Sequence, residues 1–149
     1  MADHVRKQIR AAAVTALTGL ATTAGRVFAS RVYPLQDADL PGLRISNPDE
    51  AIESASLGGA NRYLERHLTL EVQACVKQVS GYEDLVDQIA KEVEIALATN
   101  NTLGNLAKWI VPRSIETELS GEGEKPIAVA TIRFEVVYIT ALNAPDVPS

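Results

Sequence analysis

Leu68-Thr-Leu-Glu-Val-Gln-Ala-Cys-Val-Lys77 is the stretch that decides the class of fold. Leu68, Leu70, Val72, Ala74 and Val76 alternate with Thr69, Glu71, Gln73, Cys75 and Lys77, and a period of two places the first set on one face of a β-strand and the second on the other. A strand covered on both sides is apolar throughout, so here one face is core and the other is wet. That pattern belongs to an antiparallel or mixed sheet with helices on a single side. By the same alternation Cys75 falls on the outward face and reads as a surface cysteine.

Downstream, Ser80-Gly-Tyr-Glu83 has the spacing of a capping box, in which Ser80 and Glu83 each satisfy a free helix amide. Leu85, Val86, Ile89, Val93, Ala96 and Leu97 then form the apolar stripe of a helix that lies on the core face of the sheet. After Asn100-Asn101 and a short Leu103–Leu106 segment, a strand runs from about Ile110 to Leu119. Pro112 interrupts it, which predicts an edge position or a bulge. A hairpin over Ser120–Pro126 leads into a long strand in which Ile132, Phe134, Val136 and Tyr138 share one face. The remaining residues, 143–149, read as an extended tail.

Upstream, Asp49–Asn61 is acidic, rich in small residues and carries Gly58-Gly59, which reads as a long loop, either a binding element or an idle surface excursion. Before it come a short strand, Leu43–Ser46, closed by Asn47-Pro48, and the β-formers Val27, Phe28, Val32 and Tyr33, ended by Pro34 and a polar Gln36–Asp39 turn. The chain opens on a helix from an N-cap at about Asp3 to about Thr22. Arg6, Lys7 and Arg10 followed by Ala11 to Ala21 imitate a secretory signal, but Val5, Ile9, Ala12, Ala13, Ala16, Leu17 and Leu20 keep the i, i+3, i+4, i+7 spacing of an amphipathic structural helix. The predicted order is α-β-β-β-α-β-β. It describes one α+β domain over residues 1–142, with a single mixed or antiparallel sheet of about five strands and two helices on one face. A chain of 149 residues buries roughly 68–70% of its unfolded surface, enough for a core without staples.

Composition narrows the chemistry. Nineteen acidic residues against 14 basic ones disfavour a grip on phosphate backbones. The single cysteine excludes an intramolecular disulfide and suits a reducing compartment. No apolar run reaches the ~20 residues of a membrane helix. The two histidines, His4 and His67, are far apart, so local sequence assembles no metal-ligand set, and no cofactor is expected. Gly121-Glu-Gly123 joins strand to strand and lacks the helix N-terminus a phosphate loop uses. His4, Arg6, Lys7 and Arg10 set positive charge at the unfavourable end of the first helix, which reads first as a solvated, screened face and second as one that an acidic partner surface would offset. The reading is a non-enzymatic binding or assembly domain.

Taken together, Val5-Arg-Lys-Gln-Ile-Arg-Ala-Ala-Ala-Val-Thr-Ala-Leu17, Arg31-Val-Tyr-Pro-Leu35, Asp39-Leu-Pro-Gly-Leu-Arg-Ile45 and Ala130-Thr-Ile-Arg-Phe-Glu-Val-Val-Tyr138 resemble the tail terminators of long-tailed phages, the minor tail protein U type. The resemblance implies a virion protein assembled in the host cytoplasm as a homo-oligomer, usually a hexameric ring. Such a ring caps the tail tube protein, docks a head-completion or neck protein, and lets DNA pass through its lumen without specific binding. Other neck proteins and small cytoplasmic ligand-binding modules use similar domains. The expected contacts are the 49–61 loop, with Asp49, Glu50, Ile52, Glu53, Leu57, Gly58 and Gly59, then Arg62 beyond it, and the hairpin tip with Glu122, Glu124 and Lys125. Ile52 and Leu57 are its apolar anchors, and replacing the loop by a tight turn is expected to leave the monomer folded while assembly fails.

Overall fold

The computed structural model describes residues 2–30, 37–54, 62–77, 80–120 and 127–149. Helix α1 (Val5–Leu17) buries Val5, Ile9, Ala13 and Leu17, the heart of the predicted stripe. Its N-cap is His4, whose Nδ1 accepts from the Arg6 amide at 3.0 Å. The expected cap, Asp3, lies one residue too early and pairs with Lys7 at 3.3 Å instead. The helix also stops short of Thr22. Thr18 is extended and Gly19 takes φ +91°, a left-handed geometry that a residue without Cβ adopts at no steric cost.

The turn after α1 is tied down by α2 (Tyr82–Thr99). Both the amide and the hydroxyl of Thr22 donate to the Glu92 carboxylate, at 2.9 and 2.5 Å. Burial alone would raise the pKa of Glu92, but the hydrogen bonds from Thr22 and Gln88 outweigh it and hold the carboxyl below the ordinary glutamate value. A depressed folded pKa contributes stability that is present above the unfolded value and lost as pH falls through the folded one. In an acid titration of unfolding free energy, Glu92→Gln is therefore expected to flatten the slope below the ordinary glutamate pKa. An unchanged slope would show that the clasp adds nothing.

The cap of α2 is Gly81, at φ +72° with no side-chain hydrogen bond, so the Ser80/Glu83 box does not form. With Tyr82 as the first helical residue, Glu83 is second instead of third and cannot reach back. Glu83 and Asp84 still place negative charge in the first turn, where the helix dipole favours it. Val86, Ile89, Ala90, Val93 and Leu97 are buried.

The sheet holds β1 (Val27–Ala29), β2 (Gly42–Ser46), β3 (Glu50–Ser54), β4 (Tyr63–Lys77), β5 (Trp109–Ser120), β6 (Ile127–Ala141) and β7 (Ala144–Pro148). The main path is β1-β2-β4-β6-β5, with β3 beside β4 and β7 beside β6; β1 and β2 are parallel and every other pair is antiparallel. The α+β architecture, the mixed sheet and the two helices on its core side are those expected. β5 is an edge strand, and its register shifts between Pro112 and Ser114, which places the bulge at the proline as predicted. Asn101 closes the preceding turn: its side chain exchanges two hydrogen bonds with the backbone of Ile110, as a neighbouring strand would.

Three further expectations need correction, and the order becomes α-β-β-β-β-α-β-β-β. The first is the 49–61 loop. Residues 50–54 form strand β3, because beyond Asn47-Pro48 the chain keeps the direction of β2 and continues along the same edge of β4, where the Asp49 carbonyl accepts from the Thr69 amide at 3.0 Å. The second is residues 143–149, which are extended but not free: β7 continues the sheet along the end of β6. The third is Cys75, which is on the outward face yet buried, with Arg44 against it. Burial pushes the thiol pKa up and Arg44 only partly opposes this, so the sulfur is held as an unreactive thiol.

The core lies between the helix stripes and one sheet face. Leu43 and Ile45 of β2, Leu68 to Val76 of β4 on even numbers, and Ala128 to Tyr138 of β6 on even numbers are all buried. Among the described residues, no helix is long and apolar enough to cross a membrane. Val32, Tyr33 and Pro34 lie outside the described residues.

Candidate assembly surface

Strands β4 and β6 are paired over their whole length, from Tyr63↔Ala141 to Lys77↔Ile127, and this ribbon outruns the helices. Where it does, the core face changes chemistry. Arg66 replaces the aliphatic residue that the alternation calls for, and it is buried. Its Nη1 meets Glu50 Oε2 of β3 at 3.0 Å, its Nε donates to Thr140 Oγ1 at 3.0 Å, and its guanidinium lies 5.9 Å from the centre of the Tyr138 ring. The Tyr138 hydroxyl donates to Glu50 Oε1, and burial with that partner raises the phenol pKa. Arg6 adds a looser contact to Glu50 at 3.9 Å. Part of the basic charge on α1 is thus met within the chain. Burial, then Arg6 and Arg66, lower the pKa of His4 and keep its ring neutral enough to accept as a cap.

The outward face of the sheet is charged. Arg133 spans Glu71 at 3.5 Å and Glu116 at 3.4 Å, and Arg113 meets Glu135 at 3.2 Å. His67 sits between Glu135, 3.3 Å from Nδ1, and Glu65, 3.4 Å from Nε2. Burial would lower its pKa, but these two carboxylates together raise it. Arg44, Glu71, Glu118 and Arg133 line an open groove of about 420 Å³ on this face.

Apolar side chains appear at the two flanks of the sheet. Cross-strand partners share a face, and Ile52 is opposite buried Arg66, Ile115 opposite buried Ile132, and Leu119 opposite buried Ala128. All three therefore belong to the core-side face. Yet they stay 52%, 48% and 53% exposed: Ile52 is on a strand beyond the helices, and on the outer strand β5 the first turns of α2 (Tyr82, Glu83, Val86 and Asp87) border Thr117 and Leu119 only across an open cleft. β5 also ends the sheet, so its outer backbone groups have no strand neighbour among the described residues.

Of the expected contact residues, Asp49, Glu50, Ile52 and Glu53 are brought together on or beside β3, and Arg62 lies just before β4. Glu50 is a buried anchor whose side chain is 3% exposed, so it holds the hairpin and is not itself a contact. Ile52, Glu53 and Arg62 are exposed. Leu57, Gly58, Gly59, Glu122, Glu124 and Lys125 lie outside the described residues. Excising 49–61 would now remove a strand and leave Arg66 without its carboxylate, so that change no longer leaves the monomer intact. Sequence reasoning missed Ile115 and Leu119. Their alternation with Glu116 and Glu118 was visible, but nothing local shows that α2 leaves them exposed.

Neither a protein-family model nor a curated protein sequence matches the chain. Among solved structures it is similar to a chain of the "Virion of native gene transfer agent (GTA) particle", with 15% identity and a TM-score of 0.37, covering 90% of this chain and 92% of that one. A likeness this distant carries no argument about function.

Proposed function

We propose that the chain is a structural virion subunit of the tail-terminator type, which forms a homo-oligomeric ring on the end of a tail tube, stops its growth and offers a surface to a head-side neck protein. The observation that carries this reading is the uncovered part of the core-side face, with Ile52 on one flank and Ile115 and Leu119 on the other. Exposed apolar groups on the core-side face of a sheet mark a surface completed by another protein. Two such flanks on opposite sides of one subunit suit head-to-tail contacts, which close into a ring when the rotation permits. The sequence resemblance supplies the station, the tail end, and the expectation of six subunits. A net charge of −5 suits a lumen through which DNA must slide without sticking. No group described above is proposed to be catalytic.

Sedimentation velocity over a concentration range, with electron microscopy of the protein alone and mixed with tail tubes, tests the reading. The unaltered chain is expected to form rings that cap tubes. Ile52→Asp and Leu119→Asp, both on exposed sites, are expected to leave the circular dichroism spectrum unchanged and abolish the rings. A monomer at every concentration that also ignores tube ends would end the proposal in favour of a ligand-binding module.

A further inference from the structure

The outer face of the β3–β4 hairpin carries a cluster that the assembly reading does not use. Glu53 and Glu65 are direct partners across the two strands, and like charges so placed repel. His67 is two residues along β4 from Glu65 and shares its face. The Nδ1 of His67 is taken by Glu135 Oε1 of β6 at 3.3 Å, which turns Nε2 towards the two glutamates. That nitrogen lies 3.4 Å from Glu65 Oε2, is shielded from solvent, and has no hydrogen-bond partner. One donor atom from each of Glu53, Glu65 and His67 lies within 4.8 Å of the others.

We propose that Glu53, Glu65 and His67 bind one divalent transition cation, with Zn²⁺ the best match. The set offers one imidazole nitrogen and two carboxylate oxygens, a mixture suited to zinc-like ions more than to Mg²⁺ or Ca²⁺, which take oxygen alone. Tetrahedral ligands about 2.1 Å from one ion stand about 3.4 Å apart; His67 and Glu65 already meet that spacing at 3.4 Å, and the Glu53 oxygen, within 4.8 Å of both, has to close in. Glu53 is exposed and free to swing in. Glu135 is the positioning residue: a carboxylate on the far ring nitrogen fixes tautomer and orientation, the usual outer support of a metal-bound histidine. Arg113, at 3.2 Å from Glu135, keeps that carboxylate ionised and lowers its pKa. A bound ion would also neutralise the Glu53–Glu65 repulsion and staple β3 to β4. This inference does not depend on ring formation.

The test is calorimetric titration of Zn²⁺ into the chelator-treated full chain, with Co²⁺ absorption as the signature of imidazole ligation. One ion per chain is expected, with a visible Co²⁺ band that Glu53→Gln and His67→Gln both remove. Glu135→Gln should keep the stoichiometry and weaken binding about 10–100-fold, and Glu71→Gln, on the same face but outside the cluster, should change nothing. Circular dichroism of Glu53→Gln, altered at an exposed site, guards against misfolding. Less than one ion per chain, or equal affinity in the unaltered chain and Glu53→Gln, would overturn the site and leave a protonated His67 as the counter-charge.

Discussion

Phe134→Ala is expected to lower the free energy of unfolding by about 3–5 kcal/mol, read as an earlier denaturant midpoint at unchanged slope. Phe134 stands in the middle of β6, opposite Leu70 of β4 on one side and Pro112 of β5 on the other, and is 2% exposed in the core cluster. Truncation removes the transfer free energy of a ring and leaves a cavity that two flanking strands, paired along their length, cannot collapse to fill. For a domain with about 5–15 kcal/mol in total, that is a large share. The outward neighbour supplies the control. Thr69 points to the opposite face one residue before Leu70, and Thr69→Ala is expected to stay within about 0.5 kcal/mol. If the two results changed places, every side chain of β4 would have to be on the other face, because a slip of one residue inverts a strand.

That pair of outcomes also shows what could be read from the residues. Alternation over 68–77 gave the right face for Leu70 and Glu71, and the matching run in β6 gave Phe134, because aliphatic and polar side chains sort by burial with little help from neighbours. The same rule was silent five residues earlier. Tyr63-Leu-Glu-Arg-His67 belongs to the same strand, but its core-face position is filled by Arg66, a charge that becomes a core residue only when Glu50, Tyr138 and Thr140 surround it. Those partners come from two other strands, β3 and β6, so no local pattern announces them. β3 was hidden for the same reason: Glu-Ala-Ile-Glu-Ser is a weak strand by propensity, and its pairing with β4 is what makes it one. The metal-ligand cluster follows from that pairing. With residue 53 in a loop, Glu53 has no reason to meet Glu65, and His67 stands alone.

The buried ion pair is where the second large effect lies. Arg66→Ala is expected to cost about 3–5 kcal/mol, because it strands the Glu50 carboxylate away from water with only the Tyr138 hydroxyl and a distant Arg6 for company. The side chains of Arg66 and Glu50 are 8% and 3% exposed, so solvent cannot step in for the missing partner. Thr140 loses its donor as well. The cost should arise from the orphaned charge more than from lost attraction, and a double variant separates the two. Glu50→Gln combined with Arg66→Met keeps an acceptor for Tyr138, fills the volume and removes both charges, and is expected to recover most of the loss. Hydrogen exchange should place the damage. β3 has β4 as its strand neighbour among the described residues, so in Arg66→Ala its amides should open far sooner than those of the central β4–β6 pairs. The hairpin would then detach while the core persists, and a ring that needs Ile52 held in place would fail to form even in a chain that still folds. A stability loss under about 1 kcal/mol with β3 still protected would show that the strand is held by its backbone ladder alone, and that Glu50 and Arg66 are not its anchor.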